Sequence, residues 1–191
     1  MKHAFSLAAL ASVLASANVM ADDNAAGGVI SFSGAITDTT CTINGGKSAD
    51  FTVALSPISV IDAGNAVGPL TKNKKSFSLT FSGCTPAAGV AGTPLKMYFS
   101  SADNISTDGK FLLNNTVNES DADVAKNVGF SLAKPGSIAP IQLNVPLDTG
   151  ISGAGTTPET LVLDAYYYKT NAADAKVGAL SSNLTYTISY L

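Results

Sequence analysis

Alternation of apolar and polar residues is the feature that most constrains the fold of this 191-residue chain. Apolar residues recur at every second position in short segments that Gly, Pro, Asn, Asp and Ser residues separate. A period of two places successive side chains on opposite faces of a strand, so each segment can bury one face and expose the other. No stretch after residue 21 repeats apolar residues at a helical spacing over a helical length. The sequence therefore predicts an all-β protein.

Segments of this kind predict seven or eight short strands. A turn at Lys134–Ser137 is expected to join two of them, because Pro and Gly favour turn geometry. This number of strands, with one disulfide between the sheets, indicates an immunoglobulin-like sandwich of Greek-key type. The predicted strands contain residues 51–55, 77–81, 95–99, 128–132, 141–143, 161–168 and 184–190.

The first 21 residues have the layout of a secretory signal peptide. A basic start precedes an apolar run from Ala4 to about Leu14, and small residues follow up to Ala21. This run is too short for a membrane-spanning helix, which needs about 20 residues. We therefore expect export, cleavage after Ala21 or less favourably after Ala17, no direct membrane insertion, and one mature domain.

The charged residues argue against two classes of partner. Removal of the leader takes Lys2 with it and leaves ten lysines, no arginine and fourteen acidic residues, a net charge of −4. A mildly acidic surface without arginine disfavours nucleic acid and anionic membranes as partners.

The two cysteines, Cys41 and Cys84, are expected to form one disulfide. Two thiols of an exported domain usually pair in an oxidising compartment, although two free buried thiols are the alternative. The bridge would close a loop of 43 residues. On the chain-entropy model it stabilises the folded state by about 4 kcal/mol.

The residue types available disfavour catalysis. The one histidine, His3, leaves with the leader, so a Ser-His-Asp triad, a Cys-His dyad or a histidine-bound zinc site is not expected. The carboxylates of residues 118–123 could be imagined as a Ca²⁺ site or a glycosidase pair, but their spacing favours a solvated loop. The rings of residues 166–168 could stack on a sugar, yet alternation favours the core. We expect no enzyme activity, no cofactor and no metal.

Both ends of the mature chain read as strands that need a partner. The last residues alternate without a fault, so the chain is expected to stop on a strand whose backbone groups and core face lie partly open. The apolar side chains of this strand are Leu184, Tyr186, Ile188 and Tyr190. At the amino end, residues 27–34 can place Gly28, Ile30 and Phe32 on one face of a second strand.

Six segments in a fixed order carry a family resemblance. They are GGVISFSGAITDTTCTI, FTVAL, SFSLTFSGC, NVGFSLAKPG, YYYKT and YTISYL, and they span nearly the whole mature chain. In this order they resemble the major subunits of type 1-type, chaperone–usher fimbriae. Tyr190, one residue from the carboxyl end, and Gly178, the fourteenth from it, match two small motifs of that family. Residues 87–93 and the tyrosine triplet depart from its pattern.

The resemblance implies an immunoglobulin-like fold that lacks its final strand. A periplasmic pilus chaperone would complete the fold first, and the amino-terminal extension of the next subunit would then replace it, which is donor-strand complementation. Residues 22–36 would form the donor extension and residues 37–191 the pilin domain. The implied donor side chains are Gly28, Ile30 and Phe32, and the implied groove residues are Gly178, Leu184, Tyr186, Ile188 and Tyr190.

The implied partners are identical or homologous pilin subunits, the chaperone and an outer-membrane usher, and the implied destination is a fimbria on the cell surface, reached through the periplasm. A minor adaptor or tip subunit with a receptor-binding role is the alternative function. A tip adhesin usually carries a further lectin domain before its pilin domain, and the position of Cys41 leaves no room for one. A secreted enzyme is the third hypothesis.

Overall fold

The computed structural model describes residues 39–47, 49–85, 93–101, 103–115 and 123–190. These residues form seven strands, one short α-helix and one 3-10 turn. In chain order the elements are β1 (Thr40–Ile43), the 3-10 turn (Asn44–Gly46), α1 (Val60–Ala63), β2 (Gly68–Thr85), β3 (Lys96–Ser100), β4 (Val128–Ala133), β5 (Leu147–Asp148), β6 (Glu159–Lys169) and β7 (Thr185–Ser189).

The strands form two antiparallel sheets that share one hydrophobic core. The four-stranded sheet has the order β1-β2-β6-β4, and the three-stranded sheet has the order β5-β3-β7. Leu79 and Leu163 of the first sheet belong to the same buried cluster as Met97 and Ile188 of the second. The prediction of an all-β, immunoglobulin-like sandwich is therefore confirmed.

The alternation in the sequence accounts for the pairing at the centre of the larger sheet. Phe77 lies opposite Leu163 and Leu79 lies opposite Leu161, so apolar side chains of β2 and β6 meet on the inner face. The ladder is interrupted between Leu70 and Lys75, where Asn73 has a positive φ of 57°. Asn tolerates this left-handed conformation better than most residues, so it suits the irregularity.

Two predicted strands are wrong. Residues 51–55 and 141–143 join no named strand, although Val53, Leu55, Ile141 and Leu143 all pack on the core as the alternation requires. Just after the first segment, Asn73 Nδ2 donates to the Pro57 carbonyl at 2.7 Å. Near the second, Pro140 forms only an isolated bridge, because it has no N–H to continue a ladder.

The disulfide between Cys41 and Cys84 is present, but it does not join the two sheets as expected. It links β1 to β2, which are neighbours in the four-stranded sheet, and it lies where their register shifts between Thr40 and Thr42. The bridge itself is confirmed; only its expected place between two sheets is wrong, because the sequence does not state which strands are neighbours.

The helix α1 is a local feature that the sequence analysis missed. Ser59 caps it, since the Asp62 N–H donates to Ser59 Oγ at 3.1 Å and the Ser59 N–H donates to Asp62 Oδ2 at 3.0 Å. Lys72 Nζ lies 2.9 Å from the same carboxylate, which lowers the Asp62 pKa to about 2. This one-turn element is too short for a periodic signal, but the Ser-x-x-Asp spacing is visible. Within the described ranges, no helix has both the length and the apolar character to cross a membrane.

The predicted turn at residues 134–137 is present, closed by a hydrogen bond from the Ser137 N–H to the Lys134 carbonyl at 3.0 Å.

Candidate assembly site

The strand β7 forms one edge of the three-stranded sheet among the described residues. It pairs antiparallel with β3 on one side, from Thr185 opposite Ser100 to Ser189 opposite Lys96. Within the part of the chain that the structure describes, no named strand pairs with its other side. β7 is thus the last named strand of this sheet among the described residues.

The predicted alternating row along β7 faces the core and is covered unevenly. Ile188 and Tyr190 are buried, with 6% and 8% of their surface exposed, whereas Leu184 and Tyr186 are only half-buried. All four pack on the common hydrophobic cluster. The row therefore offers partly exposed apolar surface at the beginning of the strand, next to its edge.

Two tyrosine hydroxyls of this row are anchored to loops. Tyr186 Oη donates to the Ala49 carbonyl at 2.9 Å, and Tyr190 Oη donates to the Ser152 carbonyl at 2.5 Å. Burial raises the pKa of both hydroxyls, with the charge of Asp50 adding to the effect at Tyr186 and that of Glu159 at Tyr190. Both rings are thereby held in the core face by a polar contact, and burial favours the neutral form of each hydroxyl.

An apolar seam runs beside β7 between the two sheets. The Phe51 ring lies 5.6 Å from the Phe77 ring and 6.4 Å from the Tyr186 ring, centroid to centroid, and 44% of Phe51 is exposed. These three residues connect the segment after β1, strand β2 and strand β7. The other half-buried apolar residues of this side of the core are Ile43, Val53 and Leu55. Residues 51–55 were predicted as a strand and not as part of the site, although their alternation indicates the same inward face.

Gly178 lies outside β7, and its backbone has a positive φ of 156°. A Cβ at this position would lie 2.3 Å from the Val124 carbonyl carbon and 2.4 Å from the Ala125 nitrogen. The neighbouring Ala179 N–H donates to the Asp123 carbonyl at 2.7 Å. Gly178 thus permits a close approach between two backbone segments just before β7 begins.

The tyrosine triplet alternates between the two faces of β6. Tyr166 and Tyr168 are 2% and 6% exposed, and the Tyr168 ring stacks on Phe111 with 4.6 Å between centroids. Tyr167 lies on the other face and is half-buried beside Phe130. The two alternate rings are therefore buried as the alternation predicts, but they lie on the face of β6 opposite Leu161 and Leu163 and outside the main hydrophobic cluster.

A buried carboxylate, Asp164, lies beside these rings on β6. Lys74 Nζ is 2.7 Å from its Oδ2, Ser76 Oγ donates to its Oδ1 at 2.5 Å, and Tyr166 Oη lies 3.4 Å from Oδ2. These contacts, led by the hydrogen bond from Lys74, hold the Asp164 pKa below its ordinary value. The network is internally satisfied and explains why a charge can be 2% exposed.

The proposed donor residues Gly28, Ile30 and Phe32 lie outside the described residues, as does most of the acidic segment 118–123. Among the residues that are described, no group of three or more His, Cys, Asp or Glu side chains is arranged to hold a metal ion.

The comparison with family models decides which class of protein this is. A model described as "Fimbrial protein" matches residues 30–191. The chain belongs to the fimbrial protein family. Proteins of this family are carried on the cell surface as fimbriae, and this fimbrial protein is one of their subunits.

Solved structures agree with the fold of this fimbrial protein. A chaperone–usher pilus structure is 19% identical with a TM-score of 0.57, and the alignment covers 86% of this chain and 96% of that one. The P pilus rod subunit PapA is 17% identical with a TM-score of 0.52, covering 86% of this chain and 100% of that one. A Burkholderia pseudomallei antigen and type I fimbria protein is 15% identical with a TM-score of 0.50, covering 81% and 91%. A comparison with curated protein sequences gives no significant match.

Proposed function

We propose that this fimbrial protein is the polymerising shaft subunit of a chaperone–usher fimbria and that its role is structural rather than enzymatic. Residues 22–36 of one copy add a strand along β7 of the next. The observation that carries the proposal is the position of β7, an alternating strand at the edge of its sheet among the described residues. Adding a strand to such an edge is β-augmentation.

The chemistry of the seam fits a donor strand of the predicted pattern. A donor strand would gain main-chain hydrogen bonds along β7, and its alternate side chains would enter the seam beside Phe51 and Tyr186. Ile30 and Phe32 are two residues apart in the sequence and so share one face of an extended strand. Their burial contributes about 1.5–3 kcal/mol each.

A head-to-tail contact of this kind does not close on itself, so repetition produces a filament. Before assembly, the same edge needs protection, because an exposed apolar edge strand promotes aggregation. A periplasmic chaperone that pairs with β7 would give that protection, and an outer-membrane usher would receive the complex. The fold similarity to a chaperone–usher pilus supports this route.

The test compares cells with and without the gene. Loss of whole fibres identifies a shaft subunit, whereas fibres that remain but are short or lack tips identify an adaptor subunit and contradict the shaft assignment. Purified fimbrial protein should also run as an SDS-resistant ladder that collapses on strong heating. A single monomer band without heating would contradict polymerisation.

A further inference from the structure

An apolar patch lies at one end of the sandwich. The patch consists of Val60, Ile61, Val67 and Val177, which are 39%, 91%, 56% and 79% exposed. Single exposed aliphatic residues are ordinary on protein surfaces, but a group of them marks an interaction site. These four belong to two chain segments that the fold brings together.

Several contacts establish that the two segments are adjacent. Together they line a cavity of about 240 Å³, to which α1 contributes Val60 and Ala63 and the later segment contributes Lys176, Gly178 and Leu180. With its amide oriented to satisfy both partners, Asn65 Nδ2 donates to Asp174 Oδ1 at 3.2 Å. We call this end of the molecule, where β2 and β7 begin, the α1 end.

The first described strand, β1, begins at the opposite end of the sandwich. Thr40, the first residue of β1, lies opposite Thr85 at the end of β2. The loop at residues 151–153 joins this end of the first sheet to the carboxyl end of β7, because its carbonyls accept from the Cys84 N–H, the Leu95 N–H and Tyr190 Oη. We call this the disulfide end.

The short connection between the extension and β1 limits where two linked subunits can sit. Every pair of named strands in the described part of the chain is antiparallel, and antiparallel pairing is slightly more stable per residue. If the donor strand is antiparallel to β7, its carboxyl end lies beside the beginning of β7. The donor strand therefore leaves the acceptor at the α1 end. The four Cα–Cα steps from residue 36 to Thr40 then span at most about 14 Å before β1 of the donor starts.

From this placement we propose that the patch at the α1 end of the acceptor is a docking surface for the disulfide end of the donor, which is a second copy of this chain. Neighbouring subunits would then contact each other through their domains as well as through the donated strand. The inference rests on the proposed strand donation. The tether brings the donor's disulfide end against the acceptor's α1 end, which leaves Ile61 and Val177 as the side chains with the most surface to bury. The contact fixes the angle between successive subunits, which a tether of three residues alone would not determine.

The experiment changes Ile61→Asp and Val177→Asp separately in the full-length protein, with Val145→Asp as the matched control. Val145 is 46% exposed and precedes β5 at the far edge of the sheet from β7. An Asp at position 61 falls in the first turn of α1, where a negative charge is tolerated, so the fold should persist. Thermal unfolding of each purified variant checks this.

Two measurements distinguish the proposed docking surface from strand donation. Fibre number and length are measured by electron microscopy, and capture of a synthetic peptide of residues 22–36 is measured with refolded mature subunits. We expect both patch variants to capture the peptide as the wild type does. Their assembly into fibres should fall at least about tenfold, because the aliphatic side chains are no longer buried between subunits. Val145→Asp should match the wild type in both.

Fibres of wild-type number and length from both patch variants would overturn the proposed docking surface. An equal loss of fibres in Val145→Asp would also overturn it. Loss of the patch variants from the periplasm before assembly, with unfolding temperatures unchanged, would also overturn it, because the surface would then serve the chaperone. A wild-type subunit that fails to capture the peptide would instead overturn strand donation itself.

Discussion

The hydroxyl of Tyr190 donates to the carbonyl of Ser152 at 2.5 Å and so ties the end of the β7 row to a loop that also contacts the disulfide. In the same loop, the Gly153 carbonyl accepts from the Cys84 N–H at 2.9 Å. The face that would receive a donor strand is therefore held to the part of the fold that the disulfide crosslinks.

Changing Tyr190 tests this link in two steps. Tyr190→Phe should keep the apolar contact and lower the free energy of unfolding by about 1 kcal/mol, since one hydrogen bond is lost. Tyr190→Asp should place a charge in the buried row and abolish both chaperone capture and incorporation into fibres. Denaturant unfolding measures the first effect and co-purification measures the second. An Asp variant that co-purifies normally would contradict the assignment of Tyr190 to the groove.

Removing the disulfide should lower stability and export yield. Cys84→Ser is expected to cost about 4 kcal/mol, because the open chain regains the entropy of a 43-residue loop. The amount of folded protein in the periplasm reports the loss. Thiol labelling of denatured, unreduced wild-type protein should find no free thiol, and two free thiols per chain would refute the bridge.

Gly178 should tolerate no side chain. Gly178→Ala is expected to destabilise the protein by about 1–3 kcal/mol more than Gly68→Ala, because the new Cβ meets the Val124 backbone. Gly68 is the matched control: it also has a positive φ, of 138°, but a Cβ there meets nothing within 4 Å. Denaturant unfolding of the two variants gives the comparison. Equal losses would mean that backbone conformation, not the close approach, explains the glycine.

The Asp164 network should make stability depend on pH in acid. The pKa of Asp164 is lowered in the folded state, chiefly by the hydrogen bond from Lys74. Its contribution is therefore complete above the unfolded pKa of about 3.9 and is lost as the pH falls below that value through the folded pKa. Asp164→Asn should flatten the fall in unfolding free energy below about pH 4. An unchanged acid profile in this variant would contradict the role of the carboxylate.

The sequence predicted inward faces better than it predicted partners. The alternation at Leu184–Tyr190, and the inward positions of Val53, Leu55, Ile141 and Leu143, depend only on local period, and the structure agrees with them. Whether such a segment joins a ladder depends on distant backbone groups, which is why two predicted strands were wrong. The same reason explains why the correctly predicted disulfide was expected between the sheets and lies within one, since neighbouring strands are chosen by the whole fold.

The site shows the same division between local and distant information. The row on β7 could be read from the sequence, but the aromatic contact of Phe51 with Tyr186 joins residues 135 positions apart. The contact of Gly178 with Val124 and Ala125 likewise depends on a segment that no local pattern connects to it. Gly178 could be selected by resemblance, but its physical role required the structure.

Strand donation is tested most directly by a mature subunit that begins at Ile36 and so lacks the donor residues. It should fold, bind the chaperone and capture a synthetic peptide of residues 22–36, because its own β7 is intact. In the full-length chain, Ile30→Asp and Phe32→Asp should weaken assembly, whereas Ser31→Asp, on the opposite face of the donor strand, should have a smaller effect.

The decisive measurement is the SDS-resistant ladder formed by the truncated subunit when it is the only copy expressed. The account predicts that the truncated subunit gives no ladder and no fibres, while the same protein still captures the peptide. A ladder of wild-type length from the truncated subunit would contradict strand donation, because polymerisation would then proceed without the proposed donor.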